Sequence, residues 1–158
     1  MSKTISTVKG NIFAYLKPGD AMVHGCNAQG VMGSGVAAGV REIYPGAYDA
    51  YRSAYVRQAN QLFMGTVIPY FDTTDKIWVL NAITQEYFGR DPDVRYVSYD
   101  AIEDSFKVIR NMAPNTNIER LLFPLIGAGL GNGTWSVIEE IIRSVFEHSN
   151  LPLILVKQ

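Results

Sequence analysis

The sequence predicts an α/β protein, with a mixed sheet covered by helices on both faces. Three observations predict it. Short apolar strand-like stretches alternate with stretches of helical period along the chain, the order expected of a largely parallel sheet. Two of those stretches run directly into glycine-rich loops that open helices. One pair of neighbouring strand stretches is joined by four polar residues, which reads as a hairpin and makes the sheet mixed.

Taken in order, Thr4 to Val8 alternates weakly and predicts a first strand. Lys9-Gly10-Asn11-Ile12-Phe13 turns into a short segment, Ala14 to Lys17 has no clear period, and Pro18-Gly19-Asp20 is a turn by residue type. Ala21 to Cys26 is a short apolar run, a buried strand. Gly30, Gly33 and Gly35 follow it, and Val36 to Tyr44 has the spacing of a helix that stops before Pro45.

Gly46 to Gln61 predicts a second helix, with Ala47, Tyr51, Ala54 and Tyr55 on one face. Gly65 to Tyr70 and Lys76 to Ile83 are strands, joined through Asp72-Thr73-Thr74-Asp75. Thr84 to Val97 is a long polar and aromatic loop of the size that usually carries function. Ser98 caps a helix to about Met112, and Pro114 to Asn117 is a break. Ile118 to Ile126 predicts a strand buried on both faces, and the second glycine loop, Gly127 to Gly133, follows it. Thr134 then caps an amphipathic helix whose apolar side holds Trp135, Ile138, Ile141, Ile142 and Val145. His148 near its end is a surface residue favoured by the helix dipole, and Leu151 to Lys157 is a last strand.

A chain of 158 residues fits one domain and buries enough surface to need no staples. With 14 Lys and Arg against 15 Asp and Glu, it has no global attraction to nucleic acid or anionic membrane. No run of eighteen apolar residues and no leader pattern is present, so neither a membrane span nor secretion is expected. The single cysteine, Cys26, rules out an internal disulfide and suits a reducing cytosol. One Cys with the distant His24 and His148 makes no recognisable zinc site, so no metal and no cofactor is expected.

Strand, glycine loop and helix together present bare backbone N–H groups at a helix N-terminus, which favours an anion and most often a phosphate. Glycine lets a ligand approach the backbone without meeting a Cβ. Ligands of such sheets bind beyond the carboxyl ends of the strands, so the two loops are expected to grip a diphosphate from opposite sides of one crevice. Residues 30 to 35 lack the third glycine of Gly-x-Gly-x-x-Gly, and neither loop carries the Gly-Lys-Ser/Thr of a P-loop. Turn and helix-cap duty is the competing explanation for each glycine.

At this point the chain resembles a macro domain, an ADP-ribose-binding module. The likeness runs from Val8-Lys9-Gly10-Asn11-Ile12, through Asp20-Ala-Met-Val-His-Gly-Cys-Asn27 and Gly33-Ser-Gly-Val36, to Pro124-Leu-Ile-Gly-Ala-Gly-Leu-Gly131. It implies one macro domain over residues 1–158, a three-layer α/β/α sandwich with a central mixed, mostly parallel sheet. The ligand it implies is ADP-ribose or ADP-ribose 1″-phosphate. Asn11 and Ile12 would meet the adenine, with Asn11 standing where most members have an acid. Gly33, Ser34, Gly35 and Val36 would hold the diphosphate from one side, and Gly127, Ala128, Gly129, Leu130 and Gly131 from the other. Asn27 would bond the distal ribose.

The His-x-Cys-Asn wording is similar to the ADP-ribose 1″-phosphate phosphatase branch, which implies a hydrolase with His24 and Asn27 as catalytic candidates. Non-catalytic ADP-ribose reading, and hydrolysis of protein or nucleic-acid conjugates, are the alternatives. The glutamate-deconjugating branch uses a lysine after the fourth strand and an aspartate in the second glycine loop. Ile83-Thr-Gln-Glu86 and Leu130-Gly131-Asn132 lack both, so that covalent mechanism does not carry over.

His24 is either a general acid/base or a satisfied core histidine. Cys26 reads as a buried hydrophobe ahead of a nucleophile. Asn27 at a strand end can form a plain Asx-turn instead of binding ligand. Tyr87, Phe88, Arg90 and Arg95 cover the distal end or are simply solvated.

Overall fold

A computed structural model describes residues 3–158. Six strands, β1 (Ile5–Lys9), β2 (Asp20–Asn27), β3 (Val67–Asp72), β4 (Ile77–Gln85), β5 (Arg120–Phe123) and β6 (Leu153–Lys157), form one sheet in the order β1-β6-β5-β2-β4-β3. All neighbours are parallel except the β3–β4 hairpin. The polar cluster makes that hairpin's turn: the Asp75 N–H donates to Asp72 Oδ2 at 2.7 Å, and Lys76 takes a φ of 55°. Pro69, which cannot donate to a ladder, sits on β3 at the edge of the sheet.

The helices are α1 (Ile12–Tyr15), α2 (Gly35–Ile43), α3 (Pro45–Arg57), α4 (Tyr99–Met112) and α5 (Trp135–Val145). Side chains of β2 alternate between two cores. Ala21 and Val23 join Ile102, Phe106, Ile138 and Ile142 under α4 and α5, whereas Met22 and Cys26 join Val40, Ala47 and Tyr51 under α2 and α3. Helices on both faces explain why β2 and β4 are apolar almost throughout. This is the three-layer α/β/α arrangement with a mixed sheet.

At the end of β2 away from the glycine loops, Asp20 is buried to 1% exposure. Arg120 of β5 meets it with a fork, Nε to Oδ1 at 2.7 Å and Nη2 to Oδ2 at 2.6 Å.

Several boundaries differ from the sequence expectation for local reasons. The fifth strand stops at Phe123, not Ile126, because Pro124 has no N–H for the ladder. Thr84 and Gln85 extend β4 rather than begin the loop. Ser98 does cap α4, accepting from the Ala101 N–H at 3.1 Å. Thr134 occupies the cap position of α5, yet its side chain accepts nothing there; its own N–H donates to the Tyr99 hydroxyl at 2.9 Å. Among the described residues, no helix is long and apolar enough to cross a membrane.

Candidate functional site

The fold opens a crevice where β2 and β5 lie side by side. The chain leaves β2 towards α2 on one face and leaves β5 towards α5 on the other. Two loops diverging from adjacent strand ends leave space between them. A cleft of about 1050 Å³ lies there, bordered by residues 33–37 on one side and by Gly127, Gly129, Leu130 and Gly131 on the other. The structure therefore brings both glycine loops to one site.

Asn27 shapes the first loop. Its Oδ1 accepts from the Gln29 N–H at 3.0 Å, the Asx-turn, while its Nδ2 donates to the Val31 carbonyl at 2.8 Å. From α3, the buried Tyr51 hydroxyl donates to the Asn27 carbonyl at 2.6 Å. The loop is thus pinned from Asn27 to Val31, with Arg52 Nη1 also donating to the Gly30 carbonyl at 3.0 Å. Ser34, the N-cap of α2, makes no side-chain bond, so the first-turn N–H groups of α2 keep their hydrogens for something outside the helix. The second loop curls through Gly127 (φ 79°), with the Asn132 N–H on the Gly129 carbonyl at 3.0 Å and the Gly133 N–H on the Gly127 carbonyl at 2.8 Å. Among the described residues, the Gly129, Leu130 and Gly131 N–H groups find no acceptor in the chain. Consecutive unpaired N–H groups make an anion-binding concavity.

The competing explanation of these glycines can be tested one residue at a time. A glycine is required by the chain itself if its φ is positive or if a Cβ would strike a neighbour. Gly35 and Gly127 meet the first condition, with φ of 62° and 79°. Gly131 and Gly133 meet the second, since a Cβ on either would lie 2.7 Å from the Gly127 carbonyl oxygen. Of the 14 glycines, all among the described residues, Gly33 and Gly129 meet neither. A Cβ at Gly129 would touch nothing within 4 Å, and one at Gly33 would make an ordinary 3.7 Å contact with Val31. One lies in each loop, and both face the cleft.

His24 and Cys26 point together beneath α3. His24 is 1% exposed, with Nε2 at 2.6 Å from Asn81 Oδ1. The Asn81 amide donates from Nδ2 to the carbonyls of Ala47 (3.2 Å) and Ile68 (3.0 Å), so its oxygen accepts and His24 Nε2 carries the hydrogen. Burial, opposed in part by that bond, lowers the His24 pKa to about 4. Desolvation also pushes the Cys26 thiol well above its usual range, which keeps it protonated and unreactive. Both residues border the cleft, and the Asn81 bonds also join β2 and β4 to α3.

Other candidates separate along the cleft. Asn11, Ile12, Phe13 and Val156 line one end, where Asn11 Oδ1 also caps α1 by accepting from the Phe13 N–H at 3.0 Å. Thr84, Gln85, Phe88 and Arg90 line the other end. Arg95 is not among the lining residues: its guanidinium lies over the Tyr99 ring at 4.4 Å. Asn132 Nδ2 donates to the carbonyls of Asp91 (2.9 Å) and Val94 (2.6 Å), tying the second glycine loop to the long loop. The exposed His148 lies far from all of this, beside Glu147. Sequence reasoning missed Phe13, Thr84 and Val156 as lining residues, and Tyr51 as a support for Asn27. Their apolar or strand settings concealed them.

The sequence signature of the macro domain family matches residues 23–142. The chain belongs to the macro domain family. An uncharacterised 17.5 kDa protein from the tk–vs intergenic region of phage T4 is 29% identical over 154 residues, which is 96% of this chain and 95% of that protein. A DNA ADP-ribosyl glycohydrolase of Thermus aquaticus is 26% identical over 142 residues, 89% of this macro domain but 37% of the enzyme. An ADP-ribose 1″-phosphate phosphatase of Ajellomyces capsulatus is 43% identical over 49 residues, 31% of this chain and 19% of that protein. Among solved structures, a Streptomyces coelicolor macrodomain protein superposes with a TM-score of 0.77 at 29% identity, covering 98% of this chain and 99% of its own. Thermosipho africanus DarTG in complex with ADP-ribose gives 0.77 at 20% identity, covering 98% of this chain and 42% of that one, a likeness of fold.

Proposed function

We propose that this macro domain binds ADP-ribose across the cleft and hydrolyses a 1″-substituted ADP-ribose, with ADP-ribose 1″-phosphate as the first candidate. One observation carries the reading: Gly33 and Gly129, one on each wall, lack a side chain for no reason internal to the chain. Their bare backbone suits a diphosphate gripped from both sides. Adenine would lie at the Asn11–Ile12 end and the second ribose at the Thr84–Phe88 end. Names of relatives support the ligand class, since they act on ADP-ribose conjugates.

In the proposed reaction a water oxygen attacks the 1″ phosphorus, the bond from phosphorus to the 1″ oxygen breaks, and the proton passes to that leaving oxygen. Asn27 acts by holding the first loop in register, and His24 by bracing β2 against α3. With His24 neutral down to about pH 4, water alignment falls to the bound phosphates and the loop N–H groups.

Titration calorimetry with ADP-ribose tests the binding, and phosphate release from ADP-ribose 1″-phosphate tests the reaction. Absence of heat on titration would falsify the whole reading. A second reading, binding without turnover, is favoured by the low basicity of His24. It predicts the same heat and no product from phosphate, protein or DNA conjugates.

A further inference from the structure

The long loop, residues 86–97, reaches the distal end of the cleft with Phe88, Gly89 and Arg90. Its tip is sparsely held. Among the described residues, the hydrogen bonds of residues 88–94 stay within the loop except for two, and both of those come from Asn132. Asn132 Nδ2 donates to the Asp91 carbonyl at 2.9 Å and to the Val94 carbonyl at 2.6 Å. It follows Gly129, Leu130 and Gly131 directly, so the side chain that fastens the tip belongs to the loop whose free N–H groups face the cleft.

The backbone of Asn132 supplies a second, independent observation. Its φ is 59°, a left-handed conformation that glycine adopts at least cost. Asparagine and aspartate tolerate that region better than other side chains. Only the amide has hydrogens for two carbonyls, whereas a carboxylate there would face them with oxygen. The residue type at 132 therefore meets the turn and the strap together.

A parallel link runs through Tyr96. Its N–H donates to the Gly131 carbonyl at 2.9 Å, and its hydroxyl accepts from the Asp91 N–H at 3.3 Å. A Cβ on Gly89 would strike that hydroxyl, so a residue lining the cleft packs directly on Tyr96.

We infer that Asn132 is a positioning residue that couples the two loops. A diphosphate held by the Gly129, Leu130 and Gly131 N–H groups then also fixes Phe88 and Arg90, which it does not touch. The physical route is a shared opening: the tip cannot lift without breaking the Asn132 bonds, and a ligand that stills residues 129–132 suppresses that opening. This rests on the diphosphate reading of the second glycine loop.

Hydrogen–deuterium exchange tests the coupling in wild type, Asn132→Asp and Asn132→Gly, each free and saturated with ADP, which ends at the diphosphate. In wild type, ADP should slow exchange in residues 127–133 and also in residues 88–94. Both variants accept the left-handed φ. Without ligand they should exchange residues 88–94 faster, by about tenfold for two lost hydrogen bonds, and ADP should then slow residues 127–133 alone. Slowing of residues 88–94 by ADP that survives in both variants overturns the role of Asn132, as does unchanged exchange in the free variants. General loss of protection reaching β2 and β4 in both variants overturns it too, since residue 132 would then hold the fold rather than the tip. ADP that slows residues 127–133 in wild type without slowing residues 88–94 overturns the coupling while leaving the diphosphate reading intact. If ADP slows neither segment in wild type, the diphosphate reading itself has failed and the coupling falls with it.

Discussion

Replacing Gly129 by alanine separates ligand binding from folding more cleanly than any other change in the cleft. Nothing in the chain lies within 4 Å of the added methyl, and the backbone there is not left-handed. Stability should therefore rise, by roughly 0.4–1 kcal/mol, because alanine has fewer unfolded conformations to lose. For a chain of 158 residues that corresponds to a Tm increase of about 1–4 °C. The same methyl would occupy the space a phosphate needs to reach the Gly129, Leu130 and Gly131 N–H groups. Losing one charge-assisted bond there costs about 1.5–3 kcal/mol, or roughly tenfold to a hundredfold in Kd for ADP-ribose. Gly33→Ala should behave in the same way from the opposite wall. Thermal melts and calorimetry on the same samples measure both quantities. An alanine at 129 that leaves ADP-ribose affinity intact refutes the diphosphate grip on that wall, because a glycine not required by the fold would then have no use.

Other perturbations test the supports of the site. With a His24 pKa of about 4 folded and near 6.5 unfolded, the unfolded chain binds more protons between those values. Stability is then full above pH 6.5 and declines as pH falls towards 4, by on the order of 3 kcal/mol; denaturant melts should lose this slope in His24→Gln. Tyr51→Phe removes the hydroxyl donated to the Asn27 carbonyl and should lower stability by about 1–2 kcal/mol. It should also weaken ADP-ribose binding, through the loosened first loop. Arg120→Ala strands the buried Asp20 and should cost about 3 kcal/mol in chemical denaturation without changing ADP-ribose affinity, since the pair sits at the other end of β2.

What the sequence disclosed and what it hid have a common physical cause. Local signals read well: Ser98 and Met112 bound α4, the Asp72–Asp75 cluster turns the hairpin, and glycine loops follow apolar strands. Those features depend on a few adjacent residues. Partnerships across the chain were not legible. His24 finds Asn81 at a sequence separation of 57, and Tyr51 finds Asn27 at 24. No spacing rule announces such pairs, so a histidine braced in the core and one poised for catalysis look alike on paper. Gly25 was hidden for the same reason, because its reason for being glycine is the hydroxyl of Thr84 on the next strand.

The polar side chains that flank the strand ends are mostly spent on holding shape. Asn27 is committed to its own loop, His24 to Asn81, and Asn132 to the long loop. Unspent hydrogen-bonding capacity lies instead in the backbone N–H groups of Gly129, Leu130 and Gly131, in the first turn of α2, and in the Thr84 hydroxyl. Unpaired N–H groups suit an anion, and none of these groups exchanges protons near neutral pH. If these groups carry turnover, it draws on positioning and on the charge of the bound phosphates. Its pH–rate profile, measured on ADP-ribose 1″-phosphate, should follow the ionisation of that phosphate and stay in place when His24 is replaced by Gln. A limb of the profile that disappears with His24 would return the imidazole to the chemistry.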